Sequence, residues 1–186
     1  MAANVLRFAL FGKEFQAGKT VSIHRLIDSL KARGAEIYIE RTFFQYITSA
    51  LGMEVEVSGV FDNYNFDVDF VISIGGDGTF LRAASMVGSK ATPIIGVNTG
   101  RLGFLADIHP DEIDHAIAEI ADGHYAVEPH AVIMVEADGE IIEGSPFALN
   151  DIAVLKRDNA AMISVRTCIN GEYLVTYQAD GLIVST

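Results

Sequence analysis

DFVISIGGDGTFLRAA, residues 69–84, changes character at its middle. Its first half, DFVISIGG (69–76), is a nearly continuous apolar run, as expected of a β-strand covered on both faces. Gly75-Gly76-Asp77-Gly78-Thr79 breaks the run, and a helical pattern follows from Phe80. Three glycines within four positions let the backbone turn sharply and let phosphate oxygens approach its N–H groups. The helix N-terminus that follows adds partial positive charge. Gly75, Gly76, Gly78 and Thr79 are therefore candidate phosphate-binding positions, and Arg82, one turn on, is placed to reach an acidic ligand group. Asp77 is the odd residue, because a carboxylate in such a turn repels a phosphate. Three roles fit it: accepting the proton of an attacking hydroxyl, ordering Mg²⁺, or capping the turn and helix.

Working outward, short apolar runs alternate with helical patterns. VLRFALF (5–11) and AEIYIE (35–40) read as strands. Between them VSIHRLIDSLKARG (21–34) carries Ile23, Leu26, Ile27 and Leu30 at helical spacing, with Gly34 suited to its C-terminal end. RTFFQYITSALG (41–52) reads as a less regular helix, followed by a loop rich in Asp and Asn. TPIIGVN (92–98) is another strand. Pro110, Asp111 and Glu112 open a helix that Gly123 closes. This alternation predicts a parallel, Rossmann-like α/β domain over 1–125 with ligands at the strands' C-terminal ends.

From Ala126 the pattern is β only. AVIMVEA and EIIEG flank Asp138-Gly139, while ISVRTCI and EYLVTYQA flank Asn170-Gly171. Both dipeptides favour tight hairpin turns. The reading over 126–186 is an incomplete antiparallel all-β domain, closing on DGLIVST as a strand with no turn after it.

The 186 residues carry a formal net charge of −12. Such a surface repels nucleic acid and anionic membranes, so a phosphorylated ligand must be held by local devices. No apolar run approaches the roughly 18 residues that cross a bilayer. MAANVLRFALFG reads as a first strand rather than a signal peptide. Cys168 is the sole cysteine, which excludes an intrachain disulfide and makes a cytoplasmic setting the expectation. The five histidines form no ligand spacing.

A second glycine-rich strand exit, PIIGVNTGRLGFLAD (93–107), would lie beside the first if their strands are neighbours. Phe104 there is either core or a seat for a base or nicotinamide ring. GGDGTFLRAA and NTGRLGFLAD resemble two signatures of the NAD kinase N-terminal domain. ALNDIAVLKRD (148–158) and QADGLIVST (178–186) resemble two further ones, in the family's order. The resemblance implies transfer of the γ-phosphate of ATP to the adenosine-ribose 2′-hydroxyl of NAD, giving NADP. It implies Asp77 as the proton acceptor, Gly78 and Arg82 as dinucleotide contacts, and Phe104 in the wall of the NAD pocket. Asn150, Asp151 and Asp180 would make further polar contacts to NAD. It also implies Mg²⁺, ATP or polyphosphate as donor, and a homo-oligomer built through a complete β-domain. The family's signature runs on past DGLIVST, so the resemblance implies weakened catalysis for a chain that stops there.

Other classes fit less well. GKEFQAGKT (12–20) has five residues between Gly12 and Gly18 where a P-loop has four. No G-x-G-x-x-G follows a strand, as a dehydrogenase would require. A lipid kinase with a related GGDGT loop, or a non-catalytic nucleotide-binding module, are the remaining alternatives.

Overall fold

A computed structural model describes residues 5–13, 20–62, 66–100, 103–138, 145–157 and 161–186. The chain divides into two compact units, Met1–Pro129 and His130–Thr186.

The first unit is built on a five-stranded parallel sheet. Its strands are β1 (Arg7–Gly12), β2 (Glu36–Glu40), β3 (Gly59–Phe61), β4 (Phe70–Gly75) and β5 (Ile94–Asn98), in the order β3-β2-β1-β4-β5. Side chains alternate across the sheet. Phe8, Leu10, Phe70, Ile72 and Ile74 point into one core cluster, where Leu26, Leu30 and Ile27 of α1 (Thr20–Lys31) meet Ile113 and Ile117 of α4 (Ile113–Ala121). Ala9, Phe11 and Val71 point the other way, onto Ala83 and Val87 of α3 (Asp77–Val87). Helices on both faces leave all six residues of β4 buried, which is why that strand reads as an unbroken apolar run. Arg25 of α1 ties to α4 through Asp114, 2.7 Å away.

Local chemistry ends the helices where the sequence predicts. Gly34 and Gly123 take positive φ angles of 66° and 79° just past α1 and α4. The 41–52 segment is helical but splits into α2 (Arg41–Gln45) and one π-helical turn (Tyr46–Ala50), which accounts for its irregular apolar spacing. The stretch read as a plain Asp/Asn-rich loop also holds β3. Three residues are too few for alternation to show, and their pairing with Tyr38–Glu40 comes from the sheet edge.

The second unit consists of antiparallel strand pairs. β6 (Ile133–Met134) pairs with β7 (Phe147–Ala148), β8 (Asp151–Leu155) with β11 (Gly181–Ser185), and β9 (Ile163–Ile169) with β10 (Glu172–Ala179). The β9–β10 turn is Asn170-Gly171, with φ angles of 52° and 85°, as that dipeptide predicts. EIIEG and Gly139 of the other expected hairpin lie outside the described residues, as do Glu14–Lys19 of the near P-loop. None of the described residues of this unit is buried.

Candidate functional site

In this strand order the chain winds outward in opposite directions from β1 and β4, so a crevice opens where their C-terminal ends part. Gly12 ends β1, and Gly75 ends β4 in register with Asn98 of β5. The two glycine-rich segments therefore leave the sheet side by side, because their strands are neighbours. The Thr99 N–H donates to the Gly75 carbonyl at 3.0 Å, joining them at the root. Asn98 Oδ1 accepts the Gly100 N–H at 2.9 Å and shapes the second turn.

Asp77 joins them at the tip. It is the first residue of α3, behind the N-cap Gly76, yet its carboxylate is directed at the neighbouring loop. It accepts the N–H groups of Phe104 at 2.9 Å, Leu105 at 3.1 Å and Ala106 at 3.4 Å. Those donors, Phe104 first, hold the Asp77 carboxyl below the ordinary carboxylate value, against the opposing effect of desolvation. A side chain on Gly103 would overlap that carboxylate, so the clamp needs glycine there.

The other candidates of this unit sort by surroundings. Thr79 is buried and lies against Gly75, where a Cβ would overlap it. Gly76 and Gly78 are different: a Cβ built on either meets nothing within 4 Å. Those two glycines present open backbone, the surface a phosphate needs for close approach. Phe104 is fully exposed rather than core. Arg82 Nη2 donates to Glu40 Oε2 at 3.1 Å and to the Gly12 carbonyl at 3.3 Å. Its side chain remains 45% exposed.

Asn150, Asp151 and Asp180 belong to the second unit. Asn150 Nδ2 donates to Asp151 Oδ2 at 2.7 Å, and the Asn150 carbonyl accepts the Thr186 N–H at 3.0 Å. Asp180 pairs with Lys156 Nζ at 2.7 Å. Register pairs Asp151 with Ser185 and Leu155 with Gly181. The Asn150-Asp151 pair and Asp180 thus stand at opposite ends of one ladder, on the order of 14 Å apart along the strand.

Among the described residues no group of three His, Cys, Asp or Glu side chains converges to hold a metal.

A family model described as the ATP-NAD kinase N-terminal domain matches residues 12–125, the span that holds both glycine-rich turns and the Asp77 clamp. The chain belongs to the NAD kinase family. An NAD kinase of Bacteroides fragilis is 51% identical over 181 residues, covering 97% of this chain and 62% of its own length. An NAD kinase of Porphyromonas gingivalis is 40% identical, with the same coverage on both sides. This chain thus spans 62% of the length of these curated NAD kinases. Yeast NADH kinase complexed with NADH superposes with a TM-score of 0.74 at 18% identity, over 97% of this chain and 57% of that one, a likeness of fold. An NAD kinase from Archaeoglobus fulgidus in complex with ATP superposes with a TM-score of 0.62 at 26% identity, over 97% and 60%. The parallel α/β unit followed by antiparallel strands is the architecture expected from the sequence.

Two site features escaped the sequence reading. Backbone N–H groups of 104–106 carry no residue-type signal. Glu40 does carry one: a carboxylate closing the apolar strand AEIYIE at the sheet's ligand-binding end.

Proposed function

We propose that this chain binds NAD and MgATP at the crevice between β1 and β4 and transfers the γ-phosphate of ATP to the adenosine-ribose 2′-hydroxyl of NAD. One observation carries the reading. A carboxylate stands at the switch point of the sheet, inside a turn whose two flanking glycines, Gly76 and Gly78, face open space.

Phosphoryl transfer passes through a loose transition state, so aligning the hydroxyl with the γ-phosphate and neutralising charge matter more than strong base catalysis. Asp77 suits that demand. Its depressed pKa keeps it ionised at neutral pH and makes it a weak base, so it acts by accepting the hydroxyl's hydrogen bond and taking the proton late. The open N–H groups at Gly76 and Gly78, with the start of α3, hold phosphate oxygens. Mg²⁺ arrives with the triphosphate and neutralises charge that a chain of net −12 cannot. Phe104 offers an exposed ring for a base or nicotinamide to cover, and Arg82 a cation for a phosphate. Asn150, Asp151 and Asp180 are polar contacts to the dinucleotide in this scheme. Exposed apolar side chains on the antiparallel strands, such as Leu155, Leu174 and Ile183, suit burial between subunits of a homo-oligomer. Free, exposed Cys168 suits a cytoplasmic setting, and no described helix is long and apolar enough to cross a membrane.

The test is NADP formation from NAD, ATP and Mg²⁺ by this chain and its Asp77→Asn variant. The expected drop in rate is about 10²-fold or more. A variant as fast as the parent would remove Asp77 from the chemistry. If neither makes NADP although both bind NAD, the chain is a nucleotide-binding module only.

A further inference from the structure

Glu40 is the only charged side chain buried among the described residues, at 8% exposure. A carboxylate out of water persists only when its oxygens are well paired. Here one oxygen, Oε2, accepts both the Phe43 N–H at 3.0 Å and Arg82 Nη2 at 3.1 Å. The first contact caps α2, but capping does not call for glutamate, since shorter Asp, Asn, Ser and Thr side chains do it better. The extra reach matters for the second contact. Arg82 lies 42 positions away in the chain, on α3, and the same Nη2 continues to the Gly12 carbonyl at 3.3 Å. Behind this junction the Phe43 ring packs so closely on Gly12 that a Cβ there would overlap it.

The ends of β1 and β2 and the second turn of α3 therefore meet around one buried carboxylate. Glu40 is sequestered while its partner is not, because the Arg82 side chain stays 45% exposed. Both contacts run through Nη2 and leave Nε and Nη1 to other acceptors. An arginine held through one terminal nitrogen and still 45% exposed is a cation placed to meet a second anion.

The geometry points to Glu40 as a positioning residue, which holds the Arg82 guanidinium beside the C-terminal end of β1 for an anionic group of the bound nucleotide. This rests on the nucleotide-binding reading of the crevice. An unanchored arginine loses rotamer freedom on binding, whereas one already held by Glu40 and Gly12 loses less. Glu40→Gln isolates the effect. Glutamine keeps the side-chain length and an acceptor for the Phe43 N–H but removes the charge that fixes Arg82.

Calorimetric titration of this chain with NAD, and separately with inorganic tripolyphosphate, decides the matter. Five proteins are compared: parent, Glu40→Gln, Glu40→Asp, Arg82→Ala and the Glu40→Gln/Arg82→Ala double variant, each with its melting temperature. Glu40→Gln should weaken binding about tenfold. It should have no further effect in the Arg82→Ala background, and this dependence on Arg82 is what a merely structural role would not produce. Glu40→Asp, which keeps the charge but falls one methylene short, should bind as weakly as Glu40→Gln. Unchanged binding in Glu40→Gln, or an equal loss with and without Arg82, overturns the inference while leaving NAD binding by the parent intact. Tripolyphosphate binding that depends on both residues, without any NAD binding, sustains the inference and instead overturns the NAD reading. Absence of binding for both ligands overturns both.

Discussion

The parallel sheet of Met1–Pro129 and the antiparallel pairs of His130–Thr186 are both built from hydrogen-bonded strands, yet among the described residues only the first has buried side chains. Leu30 in α1 is fully buried, whereas Leu174 in β10 is 54% exposed. Phe8, Leu10 and Ile72 sit between helices, while Ile183 and Val184 of β11 have water beside them. Backbone pairing alone removes little apolar surface from water, and it is the helices packed on both faces that bury the first sheet. Isolated two-stranded pairs are marginal by themselves. The clamp between the glycine turns accordingly stands on the packed unit, at the end of the fully buried strand β4.

The sharpest way to break this contrast is to make the same substitution in both units. Leu30→Ala should cost about 2–5 kcal/mol in chemical denaturation, because it opens a cavity in a packed core. Leu174→Ala should stay within about 0.5 kcal/mol. Similar losses at the two sites would mean that the antiparallel strands have a core of their own.

A second comparison lies within the turns. Gly103→Ala forces a methyl into the Asp77 carboxylate and should cost about 1–3 kcal/mol. Gly76→Ala meets open space at a backbone φ of −113°, which alanine adopts freely, so stability should change by less than about 0.5 kcal/mol. Its NAD or ATP affinity should nevertheless fall, because the methyl occupies the ligand's approach. A Gly76→Ala variant that binds normally would show that the open face is not the phosphate site.

The smallest expected effect is the pH response of the clamp. The folded-state pKa of Asp77 is lowered by the Phe104, Leu105 and Ala106 N–H groups. Its contribution to stability is then fully present above the unfolded carboxylate value, about 3.9, and is lost as pH falls through the lower folded value. NMR shifts of the 104–106 amides should therefore stay constant from neutral pH to about 4 and move below it. The same amides in Asp77→Asn should lack that step. A midpoint at or above the ordinary carboxylate value would mean that the three N–H bonds do not favour the ionised form.

How much of this was legible in the sequence follows the same division of forces. The buried strands announced themselves because both faces are covered, and GGDGT announced the strand's end, although of its glycines only Gly75 is packed too closely for a side chain. Asn170-Gly171 named its hairpin through backbone preference alone. Tertiary pairing was not written locally. β3 is too short for a pattern, the π-helical turn blurs the apolar spacing of 41–52, and nothing in DGLIVST says that its partner is β8. Asp77 was singled out for its chemistry, but its partners are backbone groups brought alongside by the pairing of β4 with β5. Arg82 was read as a ligand contact on spacing, while Glu40, which fixes it from the neighbouring strand, was passed over.

The most direct measurement is an amide-resolved NMR titration of this chain with NAD and with MgATP. The account predicts that the perturbed amides cluster at Gly75–Thr79 and at 103–106, with Phe104 to Ala106 responding as the Asp77 carboxylate is drawn to the ligand. A folded spectrum in which those amides stay fixed, while others move or none do, would contradict the placement of the site.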